Sequence, residues 1–154
     1  MHKIPLIAFA VAATGVASAQ TLDDLSIATL FPGDTVFGNT ANSSNDMSGS
    51  TIGSGSWSGG DDVYTLIWGG GDFSADLLFT HTDGDLDFWI IQNPLGGSSL
   101  QSSLTSSDDE HLAITDLAAG TYYLVVDGWQ GATNTYTLTV VPAPSALALL
   151  GAGA

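Results

Sequence analysis

Apolar side chains return at every second position in one short run after another, and turn-forming residues separate the runs. Asp61 to Trp68 places Tyr64, Leu66 and Trp68 on one face. Asp72 to Thr80 sets Phe73, Ala75, Leu77 and Phe79 against Ser74, Asp76, Leu78 and Thr80. Asp85 to Gln92 sets Leu86, Phe88 and Ile90 against Asp85, Asp87, Trp89 and Ile91. Glu110 to Leu117, Thr121 to Asp127 and Thr135 to Val141 continue the pattern, and weaker runs cover Ser26–Leu30, Thr35–Gly38 and Leu100–Leu104. A period of two belongs to a strand with one buried and one wetted face, and no comparable run has the helical period. Many short strands with Gly, Asp, Asn and Ser between them predict an all-β antiparallel sandwich of about eight strands. It would span residues 22–141, with Leu86, Phe88, Tyr122, Leu124, Tyr136 and Leu138 in the core. Thr40 to Gly60, rich in Ser, Gly and Asn, reads as a long loop whose apolar weight rests on Trp57.

Both ends have a different character. Residues 1–19 combine a basic start (His2, Lys3), an apolar stretch from Ile4 to Val16 and the small-residue site Ala17-Ser18-Ala19. That is the grammar of a cleavable secretory signal. Residues 142–154 form a Pro/Ala/Leu tail, too short to span a bilayer, which needs roughly 20 residues. Val141-Pro142-Ala143-Pro144-Ser145 and the Ala/Leu/Gly run after it resemble the opening of the PEP-CTERM sorting signal of Gram-negative bacteria. The complete helix and arginine cluster of that signal are not present. The resemblance implies a secreted or cell-surface protein, with membrane contact only through an incomplete tail.

Charge narrows the partners. The chain has 16 Asp and Glu and a single Lys or Arg, Lys3, which lies in the signal. Phosphate backbones are bound through Lys and Arg, so nucleic acid is excluded as a partner. Anionic membrane surfaces are disfavoured for the same reason. Clustered carboxylates repel one another, and a hard divalent cation relieves that repulsion, which makes calcium the candidate cofactor. There is no cysteine, so no disulfide supports the fold.

The sequence carries no catalytic constellation. Cysteine is absent, and lysine occurs only as Lys3. The histidines beyond the signal are His81 and His111, expected as polar strand-face or loop residues. Gly55-Ser56-Trp57-Ser58-Gly59 has Trp where a nucleophile elbow requires Ser. Neither a His-Glu-x-x-His pair nor a phosphate loop occurs. The expected role is therefore not enzymatic. Two candidate sites remain. Asp83, Asp85 and Asp87 fail the EF-hand pattern, because Phe88 and Pro94 fall where Gly and the bidentate Glu belong. Alternation nevertheless puts Asp85 and Asp87 on one face, about 7 Å apart, and with Asp83 they form the candidate calcium site. Trp57, Trp89 and Trp129, if outside the core, would present aromatic faces to sugar rings.

An ordered set of motifs then acquires a family likeness. Gly33-Asp34-Thr35, Asn45-Asp46 and Asp61-Asp62-Val63-Tyr64-Thr65-Leu66 are followed by Gly84-Asp85-Leu86-Asp87-Phe88-Trp89-Ile90. Gly120-Thr121-Tyr122-Tyr123-Leu124-Val125-Val126-Asp127-Gly128 and Tyr136-Thr137-Leu138-Thr139-Val140 complete the set. Together they resemble the bacterial pre-peptidase C-terminal (PPC) domain over roughly residues 22–141. The resemblance implies a jelly-roll-like β-sandwich of the kind appended to secreted peptidases, some of which bind calcium and some collagen or other polymers. The expected function is that of an exported, non-catalytic envelope or matrix module. It would act in adhesion, in association with extracellular polysaccharide or matrix protein, or in self-association. The alternative is an accessory domain serving a secreted peptidase or other hydrolase encoded elsewhere.

Overall fold

A computed structural model describes residues 21–47, 52, 57–92 and 98–142. The expected signal at 1–19 and nearly all of the expected tail at 142–154 lie outside them. A short helix α1 (Leu22–Leu25) opens the fold, and nine strands follow. They are β1 (Ser26–Leu30), β2 (Thr35–Asn39), β3 (Asp62–Trp68), β4 (Gly71–Leu78) and β5 (Leu86–Ile91). β6 (Ser99–Ser103), β7 (Asp109–Leu117), β8 (Gly120–Gly128) and β9 (Thr135–Val141) complete the set. A five-stranded sheet has the order β1-β3-β8-β5-β6, and a four-stranded sheet has the order β2-β9-β4-β7. The all-β sandwich expected from alternation is what forms, with nine strands among the described residues.

The two sheets close over one core. Leu66, Leu86, Phe88, Ile90, Leu124 and Val126 from the first sheet meet Phe73, Ala75, Leu77, Leu112, Leu138 and Val140 from the second. The six residues expected in the core are all there, each at most 4% exposed. Polar atoms inside it are paired. Tyr64 and Tyr136 hydroxyls lie 2.7 Å apart, and Tyr136 donates to Asp62 Oδ2 at 2.6 Å. Ser43 donates to the other Asp62 oxygen at 2.5 Å. Burial pushes the Tyr136 hydroxyl well above the ordinary tyrosine range, so it remains a donor. Gly38, opposite Tyr136 on β2, leaves room for that ring: a Cβ there would lie 2.1 Å from it.

Three departures from the sequence reading have physical causes. β1 pairs with β3 in parallel, so the sandwich is not wholly antiparallel. Helix α1 is one turn with no room for a period. It is held by its capping box, in which Thr21 and Asp24 satisfy each other's backbone N–H groups. The third departure matters most. β5 is buried along its whole length, and β8 along nearly all of it, although alternation predicted one wet face. The outward side chains of the five-stranded sheet (Val63, Trp89, Ile91, Tyr123 and Val125) lie beneath Leu22, Met47, Ile52 and Trp57. The described parts of the segment between Thr40 and Gly60 therefore form a cover, in which Met47, Ile52 and Trp57 pack on the sheet. Tyr123 fixes α1 from below, donating to Asp23 Oδ1 at 2.5 Å.

Phe88 is fully buried, and its ring has no space to be replaced. Phe88→Ala should cost about 3–5 kcal/mol in denaturant unfolding. A loss below about 1 kcal/mol would contradict the assigned core.

Candidate functional site

The cover brings together residues that are far apart in sequence. Residue 57 bridges residue 129 in antiparallel fashion. The Trp57 ring meets Trp89 edge-on at 5.1 Å and Trp129 at 5.3 Å. Trp89 is buried, as is Trp57, while Trp129 is half-buried. The expectation of three tryptophans outside the core is thus corrected: Trp89 is a floor residue, Trp57 is wedged over it, and Trp129 keeps an accessible face. The hydrophobic gain of covering the sheet draws the first two inward. A cleft of about 360 Å³ opens beside them, lined by Trp57, Asp85, Asp87, Leu104, Ser106 and Trp129.

The expected calcium ligands sit in different surroundings. Asp83 is exposed in a short 3-10 turn, His81–Asp83. Asp85 Oδ1 lies 3.1 Å from His81 Nδ1. Asp87 is buried and accepts the indole N–H of Trp57. Among the described residues, no group of three or more His, Cys, Asp or Glu is arranged to hold a metal ion. His111, the other histidine, sits on the exposed face of the four-stranded sheet, 2.6 Å from Asp76 Oδ1.

What sequence reading missed is a row of carboxylates across the outer face. Asp127 on β8 stands directly opposite Asp87 on β5. Asp61 precedes the paired residues Asp62 and Val126 and so lines up on the other side of Asp127. All three are buried. Asp61 Oδ2 accepts the backbone N–H groups of Asp46 and Met47, each at 2.5 Å. Asp127 has the Asp61 carboxyl and the Gly128 backbone N–H beside it, and among the described residues Asp61 Oδ1 and the Asp127 oxygens find no other partner. Burial pushes all three acids up. Asp87 rises to about 7, with the Trp57 hydrogen bond opposing the rise and the charges of Asp85 and Glu110 adding to it. Asp127 is raised furthest, by burial and then by its hydrogen bond to Asp61. Glu110 is also buried, and Ser103 and Thr105 donate to its carboxylate. The signal for this row was present in the sequence, since Asp61, Asp87 and Asp127 each fall on the outward parity of their strand.

Comparison with known proteins places the fold. The chain is similar to the pre-peptidase C-terminal domain of a collagenase from Bacillus anthracis, solved as a crystal structure. The identity is 17% and the TM-score 0.50, with 75% of this chain and 95% of that one covered. The fold is PPC-like. No family model matches the sequence, and no curated protein matches it.

Asp87 depends on the Trp57 N–H as its donor, because a buried carboxylate that loses one carries an unmet desolvation cost of about 1–3 kcal/mol or more. A double-mutant cycle of Trp57→Phe and Asp87→Ala, read by urea unfolding, should show a coupling above about 1 kcal/mol. Strictly additive losses would contradict the contact.

Proposed function

We propose that this protein is an exported, non-catalytic β-sandwich module that associates with extracellular polysaccharide through the Trp57–Trp129 cleft. The observation that carries the reading is the pairing of a half-exposed indole with two carboxylates in one cleft, lined by Trp57, Asp85, Asp87, Leu104, Ser106 and Trp129. A sugar ring offers an apolar C–H face and a rim of hydroxyls. The first stacks on indole, and the second donate to carboxylate oxygens. The module brings no permanent cation of its own, because Lys3 is the only Lys or Arg in the chain. Neutral glycans are therefore favoured over anionic ones, which would meet repulsion.

The PPC-like fold supports the non-catalytic role, and the secretory grammar of residues 1–19 supports export. Among the described residues, no helix is long and apolar enough to cross a membrane.

A panel of neutral and acidic polysaccharides, titrated calorimetrically against the folded domain, tests the reading. A neutral glycan should bind, and Trp129→Ala should weaken it at least tenfold, the equivalent of about 1.4 kcal/mol. Asp85→Asn should weaken it less, because Asp85 is already engaged by His81. Absence of glycan binding, or affinity unchanged in Trp129→Ala, would overturn the assignment of the cleft.

A further inference from the structure

We infer that the outer edge of β2 binds the same edge of a second copy of this chain. The pairing joins two four-stranded sheets across a two-fold axis at Phe37.

The outer strands of a sheet present free N–H and C=O groups, and proteins ordinarily blunt such edges. The outer strands here are β1 and β6 in one sheet and β2 and β7 in the other. β1 has a register shift between Ser26 and Ala28, and a shift of that kind bends an edge away from regular pairing. β6 reaches across to β7 with its side chains. Gln101 Oε1 accepts the Ala113 N–H at 2.8 Å, and Ser103 Oγ accepts the His111 N–H at 3.1 Å. β2 has no such protection among the described residues. Thr35-Val36-Phe37-Gly38-Asn39 contains neither proline nor charge, and its register with β9 is unbroken.

The ladder fixes which backbone groups face outward. The Val140 N–H donates to the Asp34 carbonyl at 2.9 Å, and the Thr40 N–H donates to the Asn134 carbonyl at 3.1 Å. Bonded positions alternate along an antiparallel strand. Positions 34, 36, 38 and 40 therefore bond β9, and Thr35, Phe37 and Asn39 turn their N–H and C=O groups to the outer edge. The same three residues have exposed side chains, and Phe37 is 84% exposed.

Symmetry and charge name the occupant. Centred on Phe37, an antiparallel copy sets Thr35 against Asn39 and Phe37 against itself, and each pair exchanges both backbone bonds. The acid adjoining the strand is Asp34, which accepts the Phe31 N–H. In this register it lies opposite Thr40 of the second copy. The two Asp34 carboxylates are then roughly 20 Å apart at about 3.3 Å per residue, well beyond the screening length of about 8 Å in physiological salt. A parallel register would set them side by side. In a chain with 16 acids and one Lys, a strip without acids is where two copies meet without like-charge repulsion. Five residues form a small contact, and interfaces below about 1,200 Å² belong to transient partners. The edge shares no residue with the Trp57–Trp129 cleft. A dimer thus keeps both clefts, and a polymer can engage the two together; that gain, unlike the pairing, rests on the proposed glycan site.

The chain has no cysteine, so single replacements report the register by disulfide formation. Bonded antiparallel pairs hold their Cα atoms about 5.5 Å apart, within the roughly 4.4–6.8 Å that a disulfide spans. With mild oxidant and EDTA, Phe37→Cys should cross-link at least about tenfold faster than Leu78→Cys, an exposed control two strands away. Thr35→Cys and Asn39→Cys should link slowly alone and fast when mixed, and that mixture keeps Phe37. Sedimentation equilibrium of the wild type up to about 1 mM should show a dimer, and Phe37→Asp, which opposes two carboxylates, should abolish it. A wild type that stays monomeric would overturn the proposal. So would cross-linking in which neither Phe37→Cys nor the mixture outpaces Leu78→Cys, or in which Thr35→Cys alone matches the mixture. A dimer that forms with calcium but not with EDTA would also overturn it, because bridged acids rather than strand edges would then join the copies.

Discussion

Strand β8 is buried on nearly all of both faces and hydrogen-bonded on both edges, and it carries a buried carboxyl, Asp127. That single constraint organises the rest of the molecule. Inward, Tyr122, Leu124 and Val126 meet the second sheet; outward, Tyr123 and Val125 need a roof. The chain supplies one from α1 and the segment before β3. Asp127 lies under that roof beside Asp61 and the Gly128 N–H, and burial raises it further than Asp61 or Asp87. A composition of 16 acids with one Lys, at position 3, leaves little scope for the usual remedy of an ion pair.

The roof also builds the cleft. Trp57 caps Trp89, accepts Trp129 at its edge and donates to Asp87, so the same side chain fixes the sheet's outer layer and one wall of the cavity. Close backbone approach makes this possible: a Cβ at Gly128 would fall 1.8 Å from the Ala132 carbonyl, so only glycine fits where the turn packs beneath the cover.

The sandwich was legible because alternation is a direct print of burial. Each run of apolar residues became a strand, including the weak ones at Ser26, Thr35 and Leu100, and the inward residues were assigned correctly. The PPC-like likeness of the motifs agreed with the fold. What could not be read was the second covered face. Trp89, Tyr123 and Val125 alternate with core residues and look like half-wetted positions until a roof is placed on them. The roof was hidden because Ser, Gly and Asn outnumber Met47, Ile52 and Trp57 in it, and composition outweighed three well-spaced anchors. The Asp row was invisible for a related reason. Asp61, Asp87 and Asp127 come from three non-consecutive strand ends, and strand order, which local pattern does not encode, is what aligns them. The local cluster at Asp83, Asp85 and Asp87 was conspicuous in sequence, yet Asp83 is exposed, Asp85 lies beside His81 and Asp87 accepts from Trp57.

The measurement that tests this account most directly is a carboxyl carbon-13 titration of Asp61 and Asp127 in the intact domain. The two should titrate as a coupled pair, with one step near or below the ordinary aspartate value of about 3.9 and the other displaced well above it. If both carboxyls titrate near the ordinary value, no proton is shared, the row is charged at neutral pH, and the burial of β8 must rest on some other balance of forces.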